Sequence, residues 1–164
     1  HNRRFLFEAA PGLLELARRQ EAPLAVALLD LDHFKLLNDT YGHQAGDLVL
    51  QRFAGVLAEE VRGSDIVCRH GGEEFVVLMP DIDGAGAVAV LERVLDVFQE
   101  LPPALAGRRR LPSCTFSGGV AMFPGHGNTV EQLLSRADRA LYRAKQQGRA
   151  RVEQVPGTSF ATLP

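Results

Sequence analysis

The chain has 164 residues, 46% of them hydrophobic and 23% charged, with a formal net charge of −2. That is the balance of a globular domain with a real core, and the near-neutral charge excludes a general electrostatic binder of nucleic acid. Cys68 and Cys114 form no CxxC motif or Cys/His cluster, so no zinc site is implied, and they are expected to be two small core residues, each within a strand-like run, in a reducing compartment. No stretch reads as a signal peptide or a membrane span. The chain opens at His1-Asn2-Arg3-Arg4 without an initiator methionine. We therefore expect one domain over 1–164, cut from a longer protein with an N-terminal regulatory region.

In chain order, Phe5, Leu6, Ala9, Leu13, Leu16 and Ala17 recur at roughly helical spacing, which predicts a helix despite Pro11-Gly12. Leu24 to Leu29 is an unbroken apolar run, short enough for a central strand buried on both faces. Asp30 and Asp32 come just past it, where functional groups gather in sheet proteins. Asp32 can cap the short helix expected next. Asp30 has no such role, and a carboxylate at a strand end wants a cation or a donor. Lys35 follows closely enough to serve a phosphate as a point charge.

Leu37 to Asp47 is polar and contains Gly42 and Gly46, which predicts a turn before a longer helix with Leu48, Val49, Phe53, Val56 and Leu57 on one face. Asn38 and Asp47 flank that turn. A carboxylate accepts from both the ring N–H and the exocyclic amine of guanine, and an amide meets the remaining edge; adenine lacks that donor pair. Both residue types are also routine in turns and caps. After Arg62-Gly63-Ser64-Asp65, the runs Ile66-Val67-Cys68 and Phe75-Val76-Val77-Leu78 enclose Gly71-Gly72-Glu73-Glu74. This predicts a hairpin whose glycines supply positive φ. Glu73 and Glu74 stand at its mouth, each raising the other's pKa. The pair can hold a divalent cation while bare backbone admits a phosphate. It can equally be a charged, solvated hairpin tip.

Beyond the hairpin, Asp83 is placed to cap a helix with Val88, Leu91, Leu95 and Phe98 on one face. Leu101 to Pro112, with Pro102-Pro103 and Arg108-Arg109-Arg110, reads as a loop. Ser113 to Phe123 predicts a strand, with Ser117-Gly118-Gly119 marking a close backbone approach or a bulge. Asn128-Thr129-Val130-Glu131 predicts a capping box on Asn128, before a helix burying Val130, Leu134, Ala137, Leu141 and Ala144. Lys145 and Arg149, four apart near its end, complement the helix dipole or clamp a phosphate. Val152 opens a short closing strand. Long helices between strands, with a hairpin in mid-chain, give an α+β layer fold around a mostly antiparallel sheet. The Walker phosphate loop and the GxGxxG fingerprint are both absent, so any nucleotide is held another way.

Taken together these stretches resemble the motifs of GGDEF domains, the diguanylate cyclases. Gly71-Gly72-Glu73-Glu74-Phe75 is similar to the GGEEF form of their signature. Asn2-Arg3-Arg4-Phe5 resembles the end of their opening motif, Asp30 to Asp39 their DxDxFKxxND, Gly42-His43 with Gly46-Asp47 their GHxxGD, and Ala140 to Arg149 their closing ALYxAKxxGR. The resemblance implies a palm-like α+β fold, similar to nucleotidyl cyclase catalytic domains, that joins two GTP into cyclic di-GMP and releases pyrophosphate. It implies two Mg²⁺ or Mn²⁺ per active site, held by Asp30, the Leu31 carbonyl and Glu73, with Glu74 at the ribose and second metal. Asn38 and Asp47 then read guanine with His43 close by. Lys35, Lys145, Arg149 and the backbone near His33 and Phe34 meet the triphosphate. Glu73 or Glu74 takes the proton, and Lys35 is counted with them among the catalytic residues.

Arg62 and Asp65 match the family's RxxD product-inhibitory site, to which Arg93 adds a further cation. The implied partners are GTP, cyclic di-GMP and a second copy of the domain in a transient homodimer. No nucleic acid is expected, and a membrane only through an upstream region; the domain itself is expected to be cytoplasmic. Ala150 stands where the family usually has Asn, and Gly118 where an apolar residue is common. Degenerate members act instead as non-catalytic receptors, but the acids at Asp30, Glu73 and Glu74 favour an active cyclase.

Overall fold

The computed structural model describes residues 1–100 and 110–157. Its elements run α1 (Arg3–Gln20), β1 (Leu24–Leu31), α2 (Phe34–Tyr41), α3 (His43–Glu60), β2 (Ile66–Arg69), β3 (Glu74–Pro80), α4 (Gly84–Glu100), β4 (Phe116–Phe123), α5 (Val130–Gln146) and β5 (Val152–Gln154). The five strands form one sheet in the order β2-β3-β1-β4-β5. Every pairing is antiparallel except the β4–β5 pair. The fold is α+β, with helices on both faces of a mostly antiparallel sheet.

The central strand explains the architecture. All eight residues of β1 are buried, because each face of the sheet is covered. Ala25, Ala27, Leu29 and Leu31 point into a core shared with α3 and α4, while Leu24, Val26 and Leu28 point into a second core shared with α1 and α5. Strand alternation therefore puts Asp30 on the α1/α5 side. Phe53 of α3 is fully buried at the centre of the first core, its ring 4.9 Å from Phe75, 5.0 Å from Phe98 and 5.0 Å from Phe116. Truncating such a residue costs about 3–5 kcal/mol. α1 begins where the Asn2 side chain accepts from the Phe5 N–H, and it runs through Pro11. Asp83 Oδ1 accepts from the Gly86 N–H at 2.7 Å and caps α4.

Several local expectations are corrected. β1 extends through Asp30 and Leu31, so Asp30 is in the strand and not beyond it. The polar turn over 37–47 shrinks to Gly42, at φ 89°, because helix continues to Tyr41 and resumes at His43. Asn38 and Asp47 thus lie on two helices. On α3, Leu50 is buried and Leu48 only half-buried. The only glycines with left-handed φ among the described residues are Gly42 and Gly148; Gly71 and Gly72 do not need it, since four residues, His70 to Glu73, close the hairpin. β4 starts at Phe116, which leaves Cys114 half-buried outside it, while Cys68 is fully buried in β2. The ladder through Gly118 and Gly119 is continuous, so these glycines mark close approach and not a bulge. α5 is capped by Thr129, whose side chain accepts from Gln132, because Asn128 lies one residue too early. That shift buries Leu133 and leaves Leu134 partly buried. Residues 101–109 of the expected Pro/Arg loop lie outside the described residues. No helix among the described residues is long and apolar enough to cross a membrane.

Candidate active site at the end of the central strand

The site is built where β1 leaves the sheet. Asp30 pairs across the sheet with Glu74 of β3 and Ser117 of β4. The Leu31 N–H donates to the Glu73 carbonyl at 3.2 Å, which fastens the hairpin tip to the end of β1. Arg69, itself exposed, braces the tip, its guanidinium donating to the carbonyls of Gly71 at 3.2 Å and Gly72 at 2.7 Å. The His70 and Gly71 N–H groups both donate to the Glu74 carbonyl.

Charge is concentrated here. Asp30 is only 8% exposed. Burial pushes its carboxyl above the usual carboxylate range, the Lys145 ammonium pulls it back, and Asp32 pushes it up further. Burial also raises Glu73, and Asp30 adds to that rise. Carboxylates left short of solvent and in each other's field suit a hard divalent cation, which takes oxygen ligands. Asp30, Glu73 and the Leu31 carbonyl are an oxygen-only set that fits one. No cluster of three or more His, Cys, Asp or Glu residues with metal-holding geometry occurs among the described residues. Glu74 folds back on the hairpin: a Cβ built on Gly71 would lie 3.0 Å from its Oε2.

The predicted phosphate contacts divide. Lys145 Nζ lies 3.1 Å from Asp30 Oδ2, so one of its three donor positions is engaged by the acid. Arg149 lies beyond the end of α5, not one turn on along it, in a left-handed residue at φ 63°. Its charge still reaches Asp30. Lys35 is exposed on α2. His33, exposed and left-handed at φ 56°, precedes α2 and makes no side-chain cap bond. Phe34 opens that helix with a buried ring. Asp32 does not cap α2. Its carboxylate accepts instead from Thr115 Oγ1, Ser117 Oγ and the Ala150 N–H.

Of the predicted base readers, Asn38 packs against α3 at a glycine. Asn38 Oδ1 is buried without a hydrogen-bond partner. A Cβ on Gly46 would run into that oxygen, so glycine is what makes room for the Asn38 amide. Asp47, next in α3, is exposed, as is His43. Asp47 borders a cleft of about 640 Å³ along α3 that is also lined by Gln51, Ala58, Arg62, Asp65 and Arg69. Arg62 donates to Asp65 at 3.3 Å and to the Pro80 carbonyl at 2.7 Å. The Asp65 side chain is almost fully buried, though the residue as a whole is half-buried, and its Oδ2 accepts from the Arg62 N–H. Arg93 is engaged with the Glu60 carboxylate at 2.8 Å and the Glu60 carbonyl at 2.9 Å. The sequence reading missed Arg69, Thr115 and the role of Gly46. Only the position of Arg69, two residues before the glycines, signals its part.

Comparison with known proteins gives a consistent answer. The family model described as "Diguanylate cyclase, GGDEF domain" matches residues 1–151. The response regulator PleD of Caulobacter vibrioides is 44% identical over 149 residues, which cover 91% of this chain and 33% of PleD. The chain thus spans about a third of that relative's length. The GGDEF domain of YfiN (TpbB) from Pseudomonas aeruginosa superposes with a TM-score of 0.90 at 36% identity, covering 95% of this chain and 96% of that one. The GGDEF domain of DgcB from Caulobacter crescentus, solved in complex with c-di-GMP, gives 0.87 at 31% identity, covering 94% and 90%.

Proposed function

The chain belongs to the diguanylate cyclase GGDEF family, and from that premise we propose that it is an active cyclase. It condenses two GTP into cyclic di-GMP and releases pyrophosphate. The observation that carries this reading is the acid pair at the sheet end: Asp30 on the central strand and Glu73 on the hairpin fastened to it, both raised by burial. Carboxylates kept in that state are costly to the fold and useful to a cation.

Guanine is read by Asp47 and by the unpartnered Asn38 amide, with His43 beside them. Asp47 accepts from the N–H pair that adenine lacks, which selects GTP over ATP. Lys35, the free donors of Lys145, Arg149 and the backbone N–H groups at His33 and Phe34 hold the triphosphate. Asp30, the Leu31 carbonyl and Glu73 would hold Mg²⁺ or Mn²⁺, with Glu74 beside a second ion. The chemistry a bound cation supplies is neutralisation of phosphate charge and activation of the ribose 3′-hydroxyl. The bare tip at Gly72 lets the phosphates approach. Each domain presents one GTP, so a second copy has to face it.

Product inhibition is assigned to Arg62, Asp65 and Arg93. Arginine grips phosphate and the Hoogsteen edge of guanine, and aspartate accepts from its other edge. Their bonds to Pro80 and Glu60 are exchanged for product. Arg62→Ala is expected to relieve inhibition at unchanged turnover.

The deciding experiment incubates the protein with GTP and Mg²⁺ over a concentration series and follows cyclic di-GMP and pyrophosphate. The reading expects both products, activity per molecule rising with concentration, little product from ATP, and none from a folded Glu73→Gln variant. Full turnover in Glu73→Gln overturns the acid-pair assignment.

A further inference from the structure

Asp32 is a carboxylate that the scheme above does not use, yet it makes more hydrogen bonds than any acid it does use. Its Oδ2 accepts from Thr115 Oγ1 at 2.6 Å and from the Ala150 N–H at 3.1 Å, and its Oδ1 accepts from Ser117 Oγ at 2.7 Å. Its own N–H donates to the Thr115 carbonyl at 2.9 Å. One side chain therefore ties the end of β1 to the start of β4 and to the turn that follows α5.

That turn needs tying. Gly148, Arg149 and Ala150 are left-handed in succession, at φ 112°, 63° and 48°. Glycine enters this region freely, but a residue with a Cβ enters it at a cost, and alanine lacks the short polar side chain that lets asparagine bond locally there. The Arg149 N–H returns to the Ala144 carbonyl at 3.0 Å, while the Ala150 N–H has the Asp32 carboxylate. A charged acceptor makes that bond a strong one. The turn carries Arg149, whose charge acts on Asp30.

We propose that Asp32 is a positioning residue: by holding the Ala150 N–H it keeps the strained turn in place, and with it Arg149, the residue given above to the phosphates of GTP. The inference rests on Arg149 being a phosphate contact. Asp32 touches no substrate and acts through Arg149.

The test measures the affinity of 3′-deoxy-GTP with Mg²⁺ by calorimetry, since that analogue lacks the attacking hydroxyl and binding is read without turnover. Asp32→Ala and Arg149→Ala are each expected to weaken binding about 10-fold, and the double variant also about 10-fold instead of about 100-fold, because coupled residues are not additive. Asp32→Asn keeps an oxygen for the Ala150 N–H and binds nearly as the parent does. If Asp32→Ala does not fold, Thr115→Val replaces it; it loosens the same carboxylate oxygen, and its smaller loss is likewise absorbed by Arg149→Ala. Additive losses, or unchanged affinity in the Asp32 or Thr115 variant beside a weakened Arg149→Ala, overturn the inference alone. Unchanged affinity in Arg149→Ala overturns the reading of Arg149 as a phosphate contact and the inference with it.

Discussion

Two glycine pairs, Gly71-Gly72 in the hairpin and Gly118-Gly119 in β4, look alike in sequence and are opposite in space. Neither pair has left-handed φ, so conformational freedom explains neither. A Cβ on Gly119 would run into the Ala137 carbonyl and the Leu141 N–H, because α5 lies directly on β4 there. A Cβ on Gly118 would come within 2.8 Å of Leu29 Cδ2. Around Gly72 there is nothing within 4 Å, and at Gly71 only the flexible end of Glu74. Glycine in β4 is required by what is already packed against it. Glycine in the hairpin keeps a surface bare, which is useful only if something else is to come there. Gly46 is a third kind, since it clears room for one polar side chain, that of Asn38.

The largest effect expected from this contrast is at Gly119. Its obstacles are backbone atoms of a helix, which have to shift as a body, so Gly119→Ala is expected to cost about 3 kcal/mol or prevent folding. Urea unfolding measures this, and a variant as stable as the parent would break the contrast. Gly46→Ala is expected to leave a folded protein, because a side chain can swing where a helix cannot. It displaces the Asn38 amide, so GTP affinity should fall about 10-fold as one hydrogen-bonded base contact is lost. Titration with 3′-deoxy-GTP reads this against the melting curve.

The smallest effect is in the pH dependence. Asp30 and Glu73 are raised in the folded chain, so they contribute stability at low pH that is lost as pH rises from the ordinary carboxylate value of about 4 through their raised values. Turnover at limiting Mg²⁺ is expected to rise with pH from that window, because a cation binds only the ionised carboxylates. Melting temperature and turnover should therefore run in opposite directions there, and Glu73→Gln should flatten part of the stability slope. Parallel profiles would contradict the acid-pair account.

What was legible in the sequence follows from what each signal depends on. The run Leu24 to Leu29 announced a strand covered on both faces, because only burial on both sides allows unbroken apolar sequence. The acids at Asp30 and Glu73 stood out because charge next to such runs has few structural uses. Bonds between distant segments left no local trace. Asp32 looked like a helix cap until Thr115, Ser117 and Ala150 converged on it. Gly42 concealed how little turn separates α2 from α3, since helices can meet through a single glycine. Asn128 and Thr129 are both competent caps by residue type, so the sequence does not separate them, and Thr129 is the one whose side chain accepts from the Gln132 N–H.

The most direct test of the account is Gly72→Ala, measured for stability and for cyclic di-GMP formation in the same preparation. Its φ is compatible with alanine and its surroundings are empty, so the fold should be unchanged or gain up to about 0.5–1 kcal/mol from a stiffer unfolded chain. Turnover should nevertheless fall at least about 10-fold, because a methyl group then occupies the bare surface proposed to receive substrate. Undiminished turnover in a fully folded Gly72→Ala protein would contradict the claim that the open glycine tip is a substrate surface.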